Sequence, residues 1–278
     1  MKNRKIYLFI FLVLMIFSTA SFLFVRLSKN QETSIESSSE KENWKETTIQ
    51  PSSENAIENS STQKIEDPKG PKENPKEIES QILLEVPFVV QAPFANWKDA
   101  DFQNGCEEAS MVMTIGWLDE EKNISPTEAK KRILDIIAFE NKTFGYSADT
   151  DVFDMQKIFK QYFKNENIKA SENITLEDIK DEIQNGNIVL VPAFGRALKN
   201  PNFTQPGPIA HMLIIIGYDP ATKEFITNDP GTRKGARYRY GENLLFEAIW
   251  AYPSGKDIPP LPETAKIKKA MISISKID

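Results

Sequence analysis

The chain holds a single cysteine, Cys106, and a single histidine, His211, among 278 residues. One cysteine excludes an internal disulfide framework and any cysteine-rich zinc site. With one histidine beside it, a catalytic zinc would lack nitrogen and sulfur ligands. No block rich in Lys and Arg occurs and the net charge is −6, so nucleic acid is not an expected partner. Nor is there a Gly-rich loop ending in Gly-Lys-Ser/Thr, the cradle of nucleotide phosphates. No cofactor or metal is expected. Apolar residues are not scarce: they make up 40% of the chain, enough for one ordinary domain with extensions.

The composition divides the chain into four parts. In residues 1–30, Lys2, Arg4 and Lys5 precede an uncharged, mostly apolar run from Ile6 to Val25. About 20 such residues cross the hydrocarbon layer as a helix. The reading is a membrane anchor through residues 6–25 with the bulk of the chain outside the cell. The alternative is a cleaved signal, with Ser18 and Ala20 as the small residues before the cut and a secreted product. Residues 31–80 are rich in Ser, Glu, Lys and Pro, with 12 acidic and 6 basic side chains. They read as a disordered, self-repelling linker. A globular domain is expected over 81–255. The tail, 256–278, opens on prolines, and its sequence does not decide between packing and hanging free.

Within the domain, helices come first and strands second, which predicts an α+β fold with helices packed on a small antiparallel sheet. The first helix is expected over about Gly105 to Leu118, with Asn104 as N-cap and Glu107 completing a variant capping box. Ser125-Pro126 starts a second, DVFDMQKIFKQYF is a third, and TLEDIKDEIQNG is a fourth, capped by Thr175 with Asp178 and stopped by Gly186. ILLEVPFVV reads as one or two short strands. After Gly186 the runs IVLVPA, AHMLIIIGYD and KEFITND read as strands, the last two joined by a hairpin turn at DPATKE.

Cys106 then falls in the first turn of a helix, where unpaired N–H groups and the helix dipole favour a thiolate. The bland reading of a lone helical cysteine is a small buried hydrophobe. His211, opening an otherwise apolar strand, is the base that a nucleophilic thiol needs, and such a base needs a third group to orient it. Folding the hairpin about residue 220 sets Asp229 opposite His211, within reach of the ring. The register could slip by one or two residues, and Asp219, at the far end of the strand, is the decoy. An oxyanion donor is wanted as well. The Cys106 N–H is one candidate, and Gln91 is modestly preferred to Gln103 as the other. Trp97 either roofs the site or fills the core. Arg196 either binds a substrate carboxylate or makes a structural salt bridge.

Taken in order, VPFVVQAPFANW, NGCEEASMVM, AHMLIIIGYD and FITNDPGTR resemble the C39-like peptidase family of bacterial proteins, a branch of the papain-like cysteine peptidases. The resemblance spans Leu84 to Tyr252. It implies a papain-like fold, with Cys106 as nucleophile, His211 as base, Asp229 as orienter and Gln91 in the oxyanion hole. Two departures stand out. Where many relatives carry Gly-Pro after the cysteine, this chain has Glu107 and Glu108, whose charge would raise the thiol pKa unless they point to solvent or bind a basic group. No nucleotide-binding loop of an attached export ATPase is present, so the substrate does not carry over. The expected function is a cell-surface cysteine hydrolase that cleaves a peptide or isopeptide bond of a peptide or protein substrate through a thiolate and an acyl-enzyme. The alternatives are a non-catalytic binding domain of the same fold in the cell envelope, or an amidase or acyltransferase using the same Cys-His-Asp set.

Overall fold

The run AHMLIIIGYD is buried continuously from His211 to Tyr218, and a strand apolar on both faces needs cover on both. The computed structural model describes residues 78–255, 260–263 and 267–276, and there the cover is supplied by helices on either side of one sheet.

The elements are β1 (Ile82–Leu83), α1 (Ala100–Gln103), α2 (Cys106–Leu118), α3 (Pro126–Thr143), α4 (Val152–Gln161), β2 (Ile168–Glu172), α5 (Leu176–Gln184), β3 (Ile188–Phe194), a 3-10 turn (Gly195–Leu198), β4 (Ala210–Asp219), β5 (Glu224–Asn228), β6 (Tyr238–Gly241), α6 (Glu242–Ala248) and β7 (Ala270–Ile274). The sheet runs β2-β7-β3-β4-β5-β6, with β1 also paired to β4, and every pairing is antiparallel. Side chains alternate across it. Ile188, Leu190, Met212, Ile214 and Ile272 share one core with Met113, Ile133, Ile136 and Met155 of α2, α3 and α4. Val189, Val191, Leu213, Ile215 and Met271 share a second with Ile179 and Ile183 of α5 and Leu245 of α6. This is the expected α+β fold.

The helix starts follow their caps. Ser125 accepts from the Glu128 N–H with Pro126 in the first turn, and Thr175 forms a complete capping box with Asp178. Strand β7 was not read from the sequence. Its five residues, AMISI, are all buried, and they sit between β2 and β3, so the tail after 255 contributes a central strand.

The membrane assignment is corrected. Among the described residues no helix is long and apolar enough to cross a membrane. The helix of 18 residues, α3, spreads Lys130, Lys131, Arg132 and Asp135 along its length. The expected span, residues 6–25, and the linker up to residue 77 lie outside the described residues. The single-pass anchor, the membrane as partner and the placement at the cell surface are withdrawn.

Candidate active site

Cys106 opens α2, but the cap expected before it is displaced. A short turn, α1, is closed by Asn104, whose N–H reaches the Ala100 carbonyl. The N-cap of α2 is instead Gly105, with no side-chain hydrogen bond. A Cβ at Gly105 would stand 2.8 Å from the Asp101 carbonyl oxygen, so the tight approach of α1 to α2 demands glycine there. The first turn of α2 thus keeps N–H groups uncapped by any side chain, as a site for developing negative charge wants.

Glu107 and Glu108 depart furthest from a first-turn pair at the surface. All of α2 but Ile115 and Leu118 is buried, so the helix has no solvent face on which to place them. The Cys106 Sγ–H donates to Glu107 Oε2 at 3.0 Å, and the Tyr252 hydroxyl donates to Glu107 Oε1. Burial raises the thiol well above its ordinary range, and the charge and hydrogen bond of Glu107 raise it further, while the Met212 backbone N–H opposes them. The low thiol pKa expected from the helix dipole is therefore overturned: the dipole acts only through a few N–H groups, whereas desolvation and a carboxylate at contact act directly. Burial also raises the Glu107 carboxyl, against the Cys106 and Tyr252 hydrogen bonds and the charge of His211.

Glu108 faces Glu140 of α3. As carboxylates neither could donate, which leaves both Glu108 oxygens and Glu140 Oε2 without a partner; one proton supplies the donor. Burial first, then Glu140, holds the Glu108 carboxyl well above its usual range. Burial likewise lifts Glu140 to about 7. Glu140 Oε1 accepts from the Thr150 hydroxyl at 2.9 Å. A pair of carboxyls joined through one proton thus lies in the core.

His211 sits at the start of β4, buried, with Phe203 edge-on to its ring at 5.2 Å between centroids. Its Nε2 meets Asp229 Oδ1 at 2.8 Å, which leaves Nδ1 as the ring nitrogen outside that contact. Asp229 is fully buried. Its Oδ2 accepts from the Tyr240 hydroxyl at 2.7 Å and from Asn200 Nδ2 at 3.3 Å, and its Oδ1 also accepts from the Gly231 N–H at 3.0 Å. Burial alone would raise this carboxyl, but the His211 charge and these donors hold it below the usual carboxylate range. The register that brings the two together differs from the simple hairpin. Asp219 pairs with Glu224 and Ile214 with Asn228, two or three residues off a fold about 220. The four-residue turn and the irregularity between Ile215 and Gly217 account for the shift. Asp219 is engaged with exposed Arg239 at 2.9 Å, far along the strand.

Cys106, His211, Gln91, Trp97 and Arg196 line one cleft of about 440 Å³, together with Gln103, Asp149 and Gly231. Gln91 Nε2 donates to the carbonyls of Phe102 and Gln103, at 3.0 and 2.8 Å, so its amide hydrogens hold the approach to α2. Arg196 gives the Gly207 carbonyl a 3.3 Å hydrogen bond and has no ion pair among the described residues. The residues that sequence reasoning missed are Asn200, Tyr240, Tyr252, Glu140 and Asp149. They arrive from a helix (Glu140), an edge strand (Tyr240) and loops, and no periodicity or spacing in the sequence points to them. Asp149 alone carries a local sign in the structure, a left-handed backbone (φ 50°) next to the cleft.

Residues 83–257 match the model of the Peptidase C39 like family. Among solved structures the chain resembles a Bacillus anthracis protein assigned to the C39-like peptidases, with 16% identity, a TM-score of 0.45, and coverage of 72% of this chain and 100% of that one. No curated protein matches the sequence.

Proposed function

The chain belongs to the Peptidase C39 like family, and from that premise we propose that its domain cleaves an amide-type bond, in a peptide or protein substrate, through an acyl-enzyme on Cys106. The observation that carries this reading is the 2.8 Å contact of His211 Nε2 with buried Asp229, behind the cleft that Cys106 lines. A carboxylate whose one basic partner among the described residues is a buried imidazole is what a general base needs for its orientation. In the forward step, His211 Nδ1 takes the thiol proton, the sulfur attacks the carbonyl carbon, and the imidazolium returns the proton to the leaving amine. The Cys106 N–H and the Gln91 amide are the donors for the oxyanion. Gln91 serves only when one Nε2 hydrogen turns from the Phe102 or Gln103 carbonyl toward the cleft. Trp97 and Arg196 bind the substrate, Trp97 against its chain and Arg196 against a carboxylate.

A second reading has its own observation. The Cys106 thiol is tied to Glu107 and raised by it, as suits a domain that keeps the fold to bind a peptide without turnover. Hydrolysis and acyl transfer share the acyl-enzyme and differ in what attacks it.

The test is to incubate the full chain with a peptide library and with an activated acyl ester, reading products and whole-protein mass. The hydrolase reading expects an adduct on Cys106 that decays with product release, absent in Cys106→Ala and slowed by His211→Ala. Peptide binding with neither adduct nor product would establish the binding domain. An adduct that an added amine captures faster than water does would make it an acyltransferase.

A further inference from the structure

Among the described residues, Glu107 is the side chain that hydrogen-bonds the sulfur: Cys106 Sγ and Glu107 Oε2 lie 3.0 Å apart. The two groups are 4% and 1% exposed, so no bulk water competes for that proton. The second carboxyl oxygen is fixed by the Tyr252 hydroxyl, which leaves Oε2 aimed at the sulfur. A heavy-atom separation of this kind serves either protonation pattern, S–H to carboxylate or carboxyl O–H to thiolate.

We propose that Glu107 is a positioning residue that decides which form Cys106 takes: as a carboxylate it accepts the S–H and keeps the sulfur a thiol, and as a neutral acid it donates to the sulfur and favours the thiolate. The proposal rests on the reading of Cys106 as nucleophile. Its proton count closes. In the resting form the sulfur carries one proton, Glu107 none, and His211 one, on the Nε2 that faces Asp229. One proton taken up from solvent goes to Glu107 Oε2. The thiol proton passes to His211 Nδ1, giving an imidazolium between the thiolate and the Asp229 carboxylate. No second negative charge then lies against the sulfur.

The charges around the pair favour this exchange. Glu108 beside it on α2 and Glu140 of α3 act on Glu107 or its neighbour as negative groups when ionised. Asp149, from the loop before α4, acts on Cys106 and Tyr252. His211 from β4, when charged, acts the other way on Glu107 and favours its carboxylate. Burial sides with the acidic groups, since a desolvated carboxyl prefers its proton. A thiolate next to an ionised Glu107 would put two like charges in contact without water, which is the arrangement these surroundings most oppose.

The experiment is the pH profile of Cys106 alkylation by iodoacetamide on the full chain, read as whole-protein mass, which is unambiguous because the chain has one cysteine. Glu107→Gln keeps an acceptor for Tyr252 and places an N–H donor where Oε2 stood, so it imitates the neutral acid. The profile should move down by at least one pH unit, with alkylation at pH 7 at least about tenfold faster than in the native protein. A packing role alone would alter the thermal midpoint without moving the profile in that direction. A profile that stays in place, or moves up, overturns the proposal. Should Glu107→Gln fail to fold, the native protein decides: its Cys106 alkylation should quicken as falling pH protonates Glu107, and a rate that only falls as the pH drops overturns the proposal as well. Amide turnover by the native chain is followed in parallel. A shifted profile without turnover leaves Glu107 its role and removes the hydrolase reading; turnover with an unmoved profile does the reverse.

Discussion

His211 Nε2 meets Asp229 Oδ1 at 2.8 Å although the sheet does not set the two opposite each other. Ile214 pairs with Asn228, so Asp229 lies just past the end of β5 and reaches the ring on a diagonal. Such neighbours remain within reach of a carboxylate and an imidazole. Asp229 also gathers Tyr240, Asn200 and the Gly231 N–H. Asp229→Asn should keep appreciable turnover, because its oxygen can still accept from the ring, though its amide then faces the Asn200 donor. Asp229→Ala should lose more in both turnover and stability, since three buried donors lose their acceptor at about 1–3 kcal/mol each. Asp219→Ala, which breaks an exposed contact with Arg239 and a turn hydrogen bond from the Ala221 N–H, should be nearly silent in turnover. An Asp219→Ala loss equal to that of Asp229→Ala would overturn the assignment.

Gly231 tests the ring position without replacing any ionisable group. A Cβ there would stand 2.8 Å from His211 Cε1 and 3.0 Å from Phe203 Cε1. Gly231→Ala must push the imidazole off its line with Asp229 or move Phe203. The expected result is a turnover loss of about tenfold or more, from misplacement of the base, with a circular dichroism spectrum like that of the native chain. Unchanged turnover would mean that the ring is free to shift and that its geometry does not limit the chemistry.

Much of this architecture is legible in the residues. Ser125-Pro126 and Thr175 with Asp178 announce helix starts because the capping hydrogen bonds are local. IVLVPA and AHMLIIIGYD announce buried strands because both faces are apolar. Asn104 misleads for a reason that is also local: a four-residue turn, α1, precedes α2 and takes Asn104 as its own end. Non-local features are hidden. Strand β7 is remote in sequence from both neighbours, and KKAMISISK carries too weak a pattern to place it in mid-sheet. Cys106, His211 and Asp229 can be picked out because thiol chemistry limits the choice. Tyr240 and Asn200 cannot, since the sheet edge and a loop bring them to Asp229 from positions with no chemical mark. Nor can the burial of Glu107 and Glu108 be read from a helix start, where glutamates ordinarily face water.

The acid pair in the core makes stability depend on pH in a stated direction. Glu140 is raised from 4.5 to about 7 and Glu108 is raised well above its ordinary value, so the native state holds protons that the unfolded chain has released. Stability must then fall as pH rises from the unfolded carboxylate range toward about 7, and level off for Glu140 above it. The size for Glu140 is on the order of 3 kcal/mol at most, given roughly 1.4 kcal/mol per pKa unit. Urea denaturation from pH 4.5 to 8 should show this slope. Glu140→Gln should flatten it, because the amide stays neutral and can still donate to Glu108 and accept from Thr150. A native profile that rises with pH across this window, or one that Glu140→Gln leaves as steep, would show that the pair is ionised in the fold.

The tail supplies the most severe test of the sheet. Ala270–Ile274 is buried throughout and pairs with β2 along five residues and with β3 along Ile188, Val189 and Leu190. Met271 joins the core under α5, while Ile272 and Ile274 join the core under α2 to α4. Burial of these three side chains contributes roughly 5–9 kcal/mol before any ladder hydrogen bond is counted, and whole domains are stable by about 5–15 kcal/mol. A chain ending at Gly255 should therefore lose its cooperative thermal transition. It would also expose the inner edges of β2 and β3, apolar and unpaired, and so aggregate. Replacing residues 256–266 by a Gly/Ser linker of equal length keeps β7 and should preserve the transition to within a few degrees. The contrast separates the strand from the segment leading to it. If the shortened chain melted at the native temperature, β7 would be an ornament on a sheet complete without it, and the domain would end where the prolines begin.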